Sequence, residues 1–251
     1  MIKGVFFDLG GTLLIYSDIS ASWSDWLSEF YLCLKNHGLS ISKETFAERC
    51  DRFHSKEEPP KRKDGLTIFE RRIQALCHEL GVNIKEVDIK HTAITMINAW
   101  MKHTYLDPDC HSVLEALQQH KTLGLITNFD HPPYMHALLR QLDLVKFFQA
   151  VIVSGDVGTK KPDPRIFHLA LQRTGLQPDE VVYVGDTEED IVGARAAGIL
   201  PIYLQRDATN NYGVASDFRV DQEMLRPPLK ADTLTGVVTI NSLPELIKLL
   251  E

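Results

Sequence analysis

Short apolar runs, each stopped by a polar residue or a glycine, constrain the fold of this chain more than any other feature of its sequence. Helical patterns of hydrophobicity lie between the runs. This alternation predicts an α/β fold, a Rossmann-like parallel sheet with helices on both faces. The runs are residues 4–7, 123–126, 150–153, 181–184 and 200–204.

Between the first run and the second lies a stretch of roughly a hundred residues, far longer than the usual connection in a compact α/β unit. Its apolar residues recur at helical spacing, as in Trp23, Trp26 and Phe30, and therefore predict helices that pack through these side chains. We expect an inserted helical domain over 15–108 and a core domain made of 1–14 and 109–251. Ser55–Gly65 is expected to form an exposed loop within the insert.

The last part of the core has weaker patterns. The weak hydrophobic pattern over residues 206–235 predicts irregular or edge structure there. Val237 to Ile240 predicts a final strand, and a terminal helix is expected after it, with Ser242 as a possible cap ahead of Pro244.

Composition excludes several classes of protein. The 251 residues are 44% hydrophobic and 24% charged, the balance of a globular protein, and the net charge of −7 disfavours nucleic acid as a partner. Asp8 interrupts the first apolar run too early for a signal peptide or a membrane span. Four dispersed cysteines, without close pairs, indicate a reducing cytoplasm.

Residues that end the runs carry the suggestive chemistry, because ligands of open parallel sheets bind beyond the carboxyl ends of the strands. These residues are Asp8 in the segment Asp-Leu-Gly-Gly-Thr, Thr127 with Asn128, Lys161 ahead of Pro-Asp-Pro, and Asp186 followed by Asp190.

This ordered set resembles the four motifs of the haloacid dehalogenase-like hydrolase superfamily. The resemblance covers the whole core and implies that the insert is a mobile cap over a site for a small phosphorylated molecule. It also implies a Mg²⁺ ion bound by Asp8, Asp186 and the main-chain carbonyl of Gly10, with Asp190 holding metal waters or orienting Lys161.

Elementary chemistry agrees with these roles. An aspartate such as Asp8 can attack phosphorus and form an aspartyl phosphate, which divides one difficult displacement into two. Cations must then neutralise the charge on the transferring oxygens, and Lys161 and Mg²⁺ would do so. Thr127 would donate its hydroxyl to a phosphoryl oxygen, with Asn128 and the amides near Leu9 and Gly10 assisting in substrate binding.

Other charged residues have simpler interpretations. Glu188 and Glu189 suit the first turn of a helix, where the backbone dipole favours negative charge. Lys160 is expected in solvent. His131 follows the second motif, but its spacing to other residues demands no metal. The apolar face that includes Trp23, Trp26, Trp100 and Met101 could serve an interface.

Gly10 is the departure from the family pattern. Phosphatases of this superfamily usually have a second aspartate here, which protonates the leaving oxygen. Glycine cannot transfer a proton. Three consequences therefore remain open: slow hydrolysis of phosphate esters, a preference for acyl or aryl phosphates, or different chemistry.

Three alternatives to phosphate-ester hydrolysis remain. Dehalogenase chemistry is disfavoured because no arginine lies between Leu13 and Glu48. Phosphonate cleavage would need an activated cap lysine, for which Lys35, Lys43 and Lys56 are available. A ligand-binding or regulatory module with weak turnover is the third alternative.

Overall fold

A computed structural model of the chain describes residues 1–54, 56–60, 65–206 and 229–250. These residues divide into two compact units, one made of 1–15, 106–206 and 229–250, the other of 16–105. Part of the expected loop at 55–65 and most of the weakly patterned segment 206–235 lie outside the described residues.

Strands and helices alternate through the larger unit, while helices dominate the smaller one. The strands are β1 (Gly4–Phe7), β2 (Leu14–Tyr16), β3 (Thr104–Leu106), β4 (Thr122–Thr127), β5 (Ala150–Val153), β6 (Val181–Gly185), β7 (Leu200–Leu204) and β8 (Val238–Ile240). The helices are α1 (Ile19–Lys35), α2 (Lys43–Arg49), α3 (Ile68–Glu79), α4 (Glu86–Met101), α5 (Cys110–Gln118), α6 (Pro132–Gln141), α7 (Ser154–Val157), α8 (Pro164–Thr174), α9 (Glu188–Ala196) and α10 (Glu245–Leu250).

The core of the larger unit is a parallel sheet, which confirms the predicted fold class. Within the described residues it has six strands in the order β5-β4-β1-β6-β7-β8. Each predicted apolar run forms one of these strands, and β2 pairs with β3 separately. Because β1 lies between β4 and β6, the strand order reverses beside it, and such a switch point is where open sheets bind ligands.

Helices cover the sheet because its strands are apolar at almost every position and must be buried on both faces. Phe6, Ile126 and Tyr183 from three neighbouring strands pack with Phe167 of α8 and Ala194 of α9 in one cluster. Strand side chains alternate between faces, so the residues between these positions lie on the opposite face of the sheet. Helix α5 also packs against β4.

Aromatic packing holds the smaller unit together. Trp23 and Trp26 of α1 stack with ring centroids 4.8 Å apart, and Phe30 and Phe53 meet Trp26 edge-on. Both tryptophans are buried, with exposed fractions of 1% and 2%, as the predicted packing role requires. They therefore cannot contribute to an exposed interface, and that part of the interface prediction is wrong.

The expected terminal helix is present after the last strand. Helix α10 follows Pro244, and the Ser242 hydroxyl donates to the Glu245 carboxylate at 3.0 Å. No helix in the described part of the chain combines the length and the apolar character needed to cross a membrane.

Candidate active site

The register of the sheet brings the ends of three strands to one edge. Phe7 of β1 pairs with Leu125 of β4 and with Val184 of β6. Asp8, the next residue, donates its backbone N–H to the Val184 carbonyl at 2.9 Å and is only 5% exposed. Residues that directly follow β1, β4 and β6 therefore lie close together.

Lys161 reaches this edge from the loop after β5 and α7. Its Nζ lies 2.5 Å from Asp8 Oδ1, 2.6 Å from Asp190 Oδ1 and 3.1 Å from the Tyr183 hydroxyl. An ammonium group has three donors, and these three oxygens satisfy them. The side chain is buried, so the lysine is a fixed internal cation rather than a solvent lysine.

Electrostatics keep this cation charged. Burial by itself lowers the pKa of Lys161, but Asp190 and Asp8 raise it by more, and the pKa lies above its ordinary value of 10.5. Burial and the same two carboxylates raise the pKa of Tyr183 well above its ordinary value of 10.0. At neutral pH the cluster therefore contains an ammonium and a neutral phenol.

Asp190 is fully buried at the start of α9 and has contacts on both carboxylate oxygens. Oδ1 accepts from Lys161 and from the Tyr183 hydroxyl, at 2.6 and 3.0 Å. Oδ2 accepts from the Thr187 hydroxyl at 2.6 Å and from backbone N–H groups of Asp186 and Thr187 at 3.2 and 3.0 Å. Thr187 caps the helix in return. Burial raises the pKa of Asp190, but Lys161 and the hydrogen bonds from Thr187 together lower it by more, so this pKa lies below its ordinary value of 3.8.

Glycine at position 185 makes this approach possible. A Cβ atom added at Gly185 would lie 2.4 Å from Asp190 Cγ, closer than real contacts allow. The Gly-Asp pair of the fourth motif thus has a steric reason, because the carboxylate of Asp190 packs directly against the backbone.

An acidic cluster faces Lys161. Asp8, Asp186 and Asp190 each present a carboxylate oxygen within 4.8 Å of the others. Together with the lysine these groups carry a formal charge of −2, and concentrated negative charge favours binding of a cation. Carboxylate oxygens are the ligands that hard divalent cations prefer, so the donor set fits a metal ion such as Mg²⁺.

Asn128 contacts the backbone of Lys161. Its Oδ1 accepts from the Lys161 N–H at 2.9 Å, and its Nδ2 donates to the Lys161 carbonyl at 3.0 Å. The same Nδ2 lies 3.0 Å from a carboxylate oxygen of Glu189. The amide thus fixes the lysine-bearing loop, while substrate binding by Asn128 stays a prediction.

The remaining predicted residues lie at the same edge. Thr127 is the last residue of β4 and is 4% exposed. The Leu9 carbonyl accepts from the N–H groups of Leu13 and Leu14 at 2.9 and 2.8 Å, and Gly10 forms a bridge with Leu14. These bonds define a tight turn after Asp8.

Sequence reasoning missed two contributors to the cluster. Tyr183 touches both Lys161 and Asp190, and its position inside an apolar strand was the only available signal. Thr12, the last residue of the first motif, donates its hydroxyl to Asp186 Oδ1 at 3.1 Å.

Three peripheral residues match or refine the sequence interpretation. Glu189 lies in the first turn of α9 as expected, and its contact with Asn128 is additional. Lys160 is exposed. His131 caps α6 by accepting from the Tyr134 N–H at 3.2 Å, a structural contact.

Comparison with known proteins agrees with this geometry. A family model described as haloacid dehalogenase-like hydrolase matches residues 2–198. Phosphoglycolate phosphatase of Escherichia coli (strain K12) is 40% identical over 115 residues, which is 45% of this chain and 44% of that protein. The match thus spans less than half the length of the relative.

Solved structures share the fold over almost the whole chain. A HAD phosphatase from Thermococcus onnurineus has a TM-score of 0.63 at 23% identity and covers 99% of this chain and 98% of its own. A 2-haloacid dehalogenase from Pseudomonas syringae pv. tomato DC3000 has a TM-score of 0.61 at 22% identity, with coverage of 100% and 98%.

Proposed function

This chain belongs to the haloacid dehalogenase-like hydrolase family, and from that premise we propose that it is a Mg²⁺-dependent phosphatase acting on a small phosphorylated molecule. The observation that carries the proposal is the buried contact of Asp8 and Asp190 with Lys161, beside Asp186. The relatives named phosphoglycolate phosphatase support the phosphate ester as the substrate class.

Asp8 is the proposed nucleophile. A carboxylate oxygen of Asp8 attacks phosphorus, the bond between phosphorus and the leaving oxygen breaks, and an aspartyl phosphate forms. Water then attacks the same phosphorus and loses a proton to solvent, the bond between phosphorus and the Asp8 oxygen breaks, and inorganic phosphate and the Asp8 carboxylate are released. Lys161 holds Asp8 Oδ1 at 2.5 Å, so the attacking group is oriented before the substrate arrives.

Cations around Asp8 would stabilise the transferring phosphoryl group. Lys161 supplies one positive charge from the chain itself, and the Thr127 hydroxyl and the amides after Asp8 supply neutral donors. Asp8, Asp186 and the Gly10 carbonyl would hold Mg²⁺, which when bound would neutralise charge on the phosphoryl oxygens.

Asp190 has a different role in this proposal. Both of its oxygens already accept hydrogen bonds from Lys161, Tyr183 and Thr187, and a direct metal contact would compete with them. We therefore assign Asp190 to the positioning of Lys161, with an indirect effect on the metal through bound water.

Gly10 restricts the substrates. No side chain at this position can protonate the leaving oxygen, and a positioned proton donor contributes about 10²- to 10⁴-fold in rate. Acyl and aryl phosphates have leaving groups that need little protonation. We therefore expect acyl and aryl phosphates to be hydrolysed faster than alkyl phosphates. The preference should be larger than in an enzyme that has aspartate at this position.

The helical unit over 16–105 is the proposed cap, and its residues would select the substrate. A cytoplasmic location and the absence of nucleic acid among the partners stay predictions from the cysteines and the charge.

The test is hydrolysis of a panel with and without Mg²⁺: acetyl phosphate, p-nitrophenyl phosphate, 2-phosphoglycolate, 2-aminoethylphosphonate and a 2-haloacid. We expect Mg²⁺-dependent phosphate release and a covalent phosphoenzyme that hydroxylamine cleaves. Asp8→Asn should abolish both and stay folded, whereas Asp51→Asn, at an exposed aspartate of the helical unit, should change neither.

The other outcomes are equally informative. Full activity in Asp8→Asn would remove Asp8 as the nucleophile. Turnover of the phosphonate or the haloacid alone would reassign the chemistry, and a folded protein without turnover of any panel member would favour a ligand-binding module.

A further inference from the structure

Arg206 lies two residues beyond β7 and holds the turn that follows Asp8. Its guanidinium donates to the Thr12 carbonyl at 2.6 Å and to the Gly11 carbonyl at 3.3 Å, and it pairs with Asp107 Oδ2 at 2.5 Å. Asp107 donates its own N–H to the Leu13 carbonyl at 2.9 Å. Three consecutive carbonyls, at positions 11 to 13, thus accept hydrogen bonds from this pair.

The contacts of Arg206 and Asp107 add to the hydrogen bonds within the turn. Gly11 has a φ of 84°, in the left-handed region that glycine adopts readily, so its conformation is not fixed by the residue alone. A planar guanidinium with several donors can hold two adjacent carbonyls and a carboxylate at once, which a lysine ammonium on a flexible stem does less well.

The turn places Thr12 in contact with the acidic cluster. Thr12 has no exposed surface, and its hydroxyl donates to Asp186 Oδ1 at 3.1 Å. Arg206 binds the carbonyl of the same residue. A chain of direct contacts therefore runs from Arg206 through Thr12 to Asp186.

Stability alone is a weak explanation for the Arg206–Asp107 pair. The Asp107 side chain is 5% exposed and that of Arg206 is 19% exposed, so both charges have lost most of their solvation. Pairs of this kind often contribute little net stability, since the cost of desolvation offsets the attraction. Their geometry is the more informative property.

We propose that Arg206, supported by Asp107, is a positioning residue that keeps the Thr12 hydroxyl on Asp186. The inference rests on the proposed function, in which Asp186 is a metal ligand. Contacts that orient metal ligands are typically worth about 10- to 100-fold in affinity or activity.

The experiment compares Arg206→Met with the double variant Asp107→Asn/Arg206→Met and with Arg206→Lys. The single Met variant leaves the buried Asp107 charge unpaired and should lower the melting temperature. The double variant removes both charges and should recover most of that loss, so it separates folding from positioning.

Hydrogen exchange gives a readout that needs no substrate. In the double variant the amides of Leu13 and Leu14, which bond to the Leu9 carbonyl, should exchange faster. Amides of β4 should be unchanged. With the panel substrate that the wild type hydrolyses best, kcat should fall about 10- to 100-fold with little change in KM, and Arg206→Lys should recover part of it.

Each result decides a separate point. Unchanged amide exchange in the turn of a stable double variant would show that Arg206 does not hold the turn. Faster exchange with unchanged kcat would show that holding the turn does not position Asp186 for the reaction. If the wild type hydrolyses no panel substrate, the proposed function fails. The positioning role is then overturned as well, even if amide exchange shows that Arg206 holds the turn.

Discussion

Replacing the buried lysine tests the central cluster most directly. Lys161→Met removes a cation that lies 2.5 and 2.6 Å from two buried carboxylates, and it adds no compensating charge. Breaking a buried ion pair by removing one partner costs about 3–5 kcal/mol. One kcal/mol shifts the melting temperature by about 2–4 °C in a chain of this size, so the expected loss is about 6–20 °C.

The assay is thermal unfolding at pH 7, with Lys160→Met as the matched control. Lys160 is the exposed neighbour, and its replacement should change stability by less than about 0.5 kcal/mol. The double variant Lys161→Met/Asp190→Asn removes one of the two stranded charges and should recover part of the loss. Equal melting temperatures for the two single methionine variants would refute the buried cluster.

Two further predictions address Gly10 and the smaller unit. Gly10→Asp should raise the hydrolysis of alkyl phosphates by about tenfold or more, because a proton donor is restored, whereas Gly10→Asn, with a similar shape and no transferable proton, should not. A flat response in steady-state assays would mean that the site is built for other chemistry. Burial, and secondarily Arg72, lowers the pKa of His54 to about 3 from 6.5, so between these pH values the unfolded chain binds a proton that the folded protein does not. The free energy of unfolding should therefore fall by about 1.4 kcal/mol per pH unit over this range as the pH is lowered. Urea unfolding at pH 7 and pH 5 should show a smaller loss for His54→Phe, and equal losses would contradict the shift.

Much of the fold was predictable because local pattern and tertiary structure agree there. The apolar run at residues 4–7 is β1 itself, and the run at 181–184 is β6 without its last residue. Buried parallel strands are continuously apolar, so the apolar runs in the sequence indicate where the strands lie. Trp23 and Trp26 were likewise predictable as packing residues from their spacing.

The contacts within the site were less predictable, since they depend on distances across the sheet. Tyr183 meets Lys161 because β6 lies beside β1 and the loop after β5 returns over this edge. No local pattern encodes that approach. The same holds for Arg206, which is 194 positions from Thr12 in sequence and yet binds its carbonyl.

By itself the sequence determined the parallel sheet, the long helical insert and the residues that end the strands. Hydrophobic periodicity, and the polar residues and glycines that interrupt it, are local properties of the chain. Only the tertiary structure decided which partner each charged or polar side chain has: Asp190 with Lys161, Asn128 with the lysine backbone, and Arg206 with the turn after Asp8. Burial of a charge is stable only when specific partners surround it, and those partners come from strands and loops far apart along the chain.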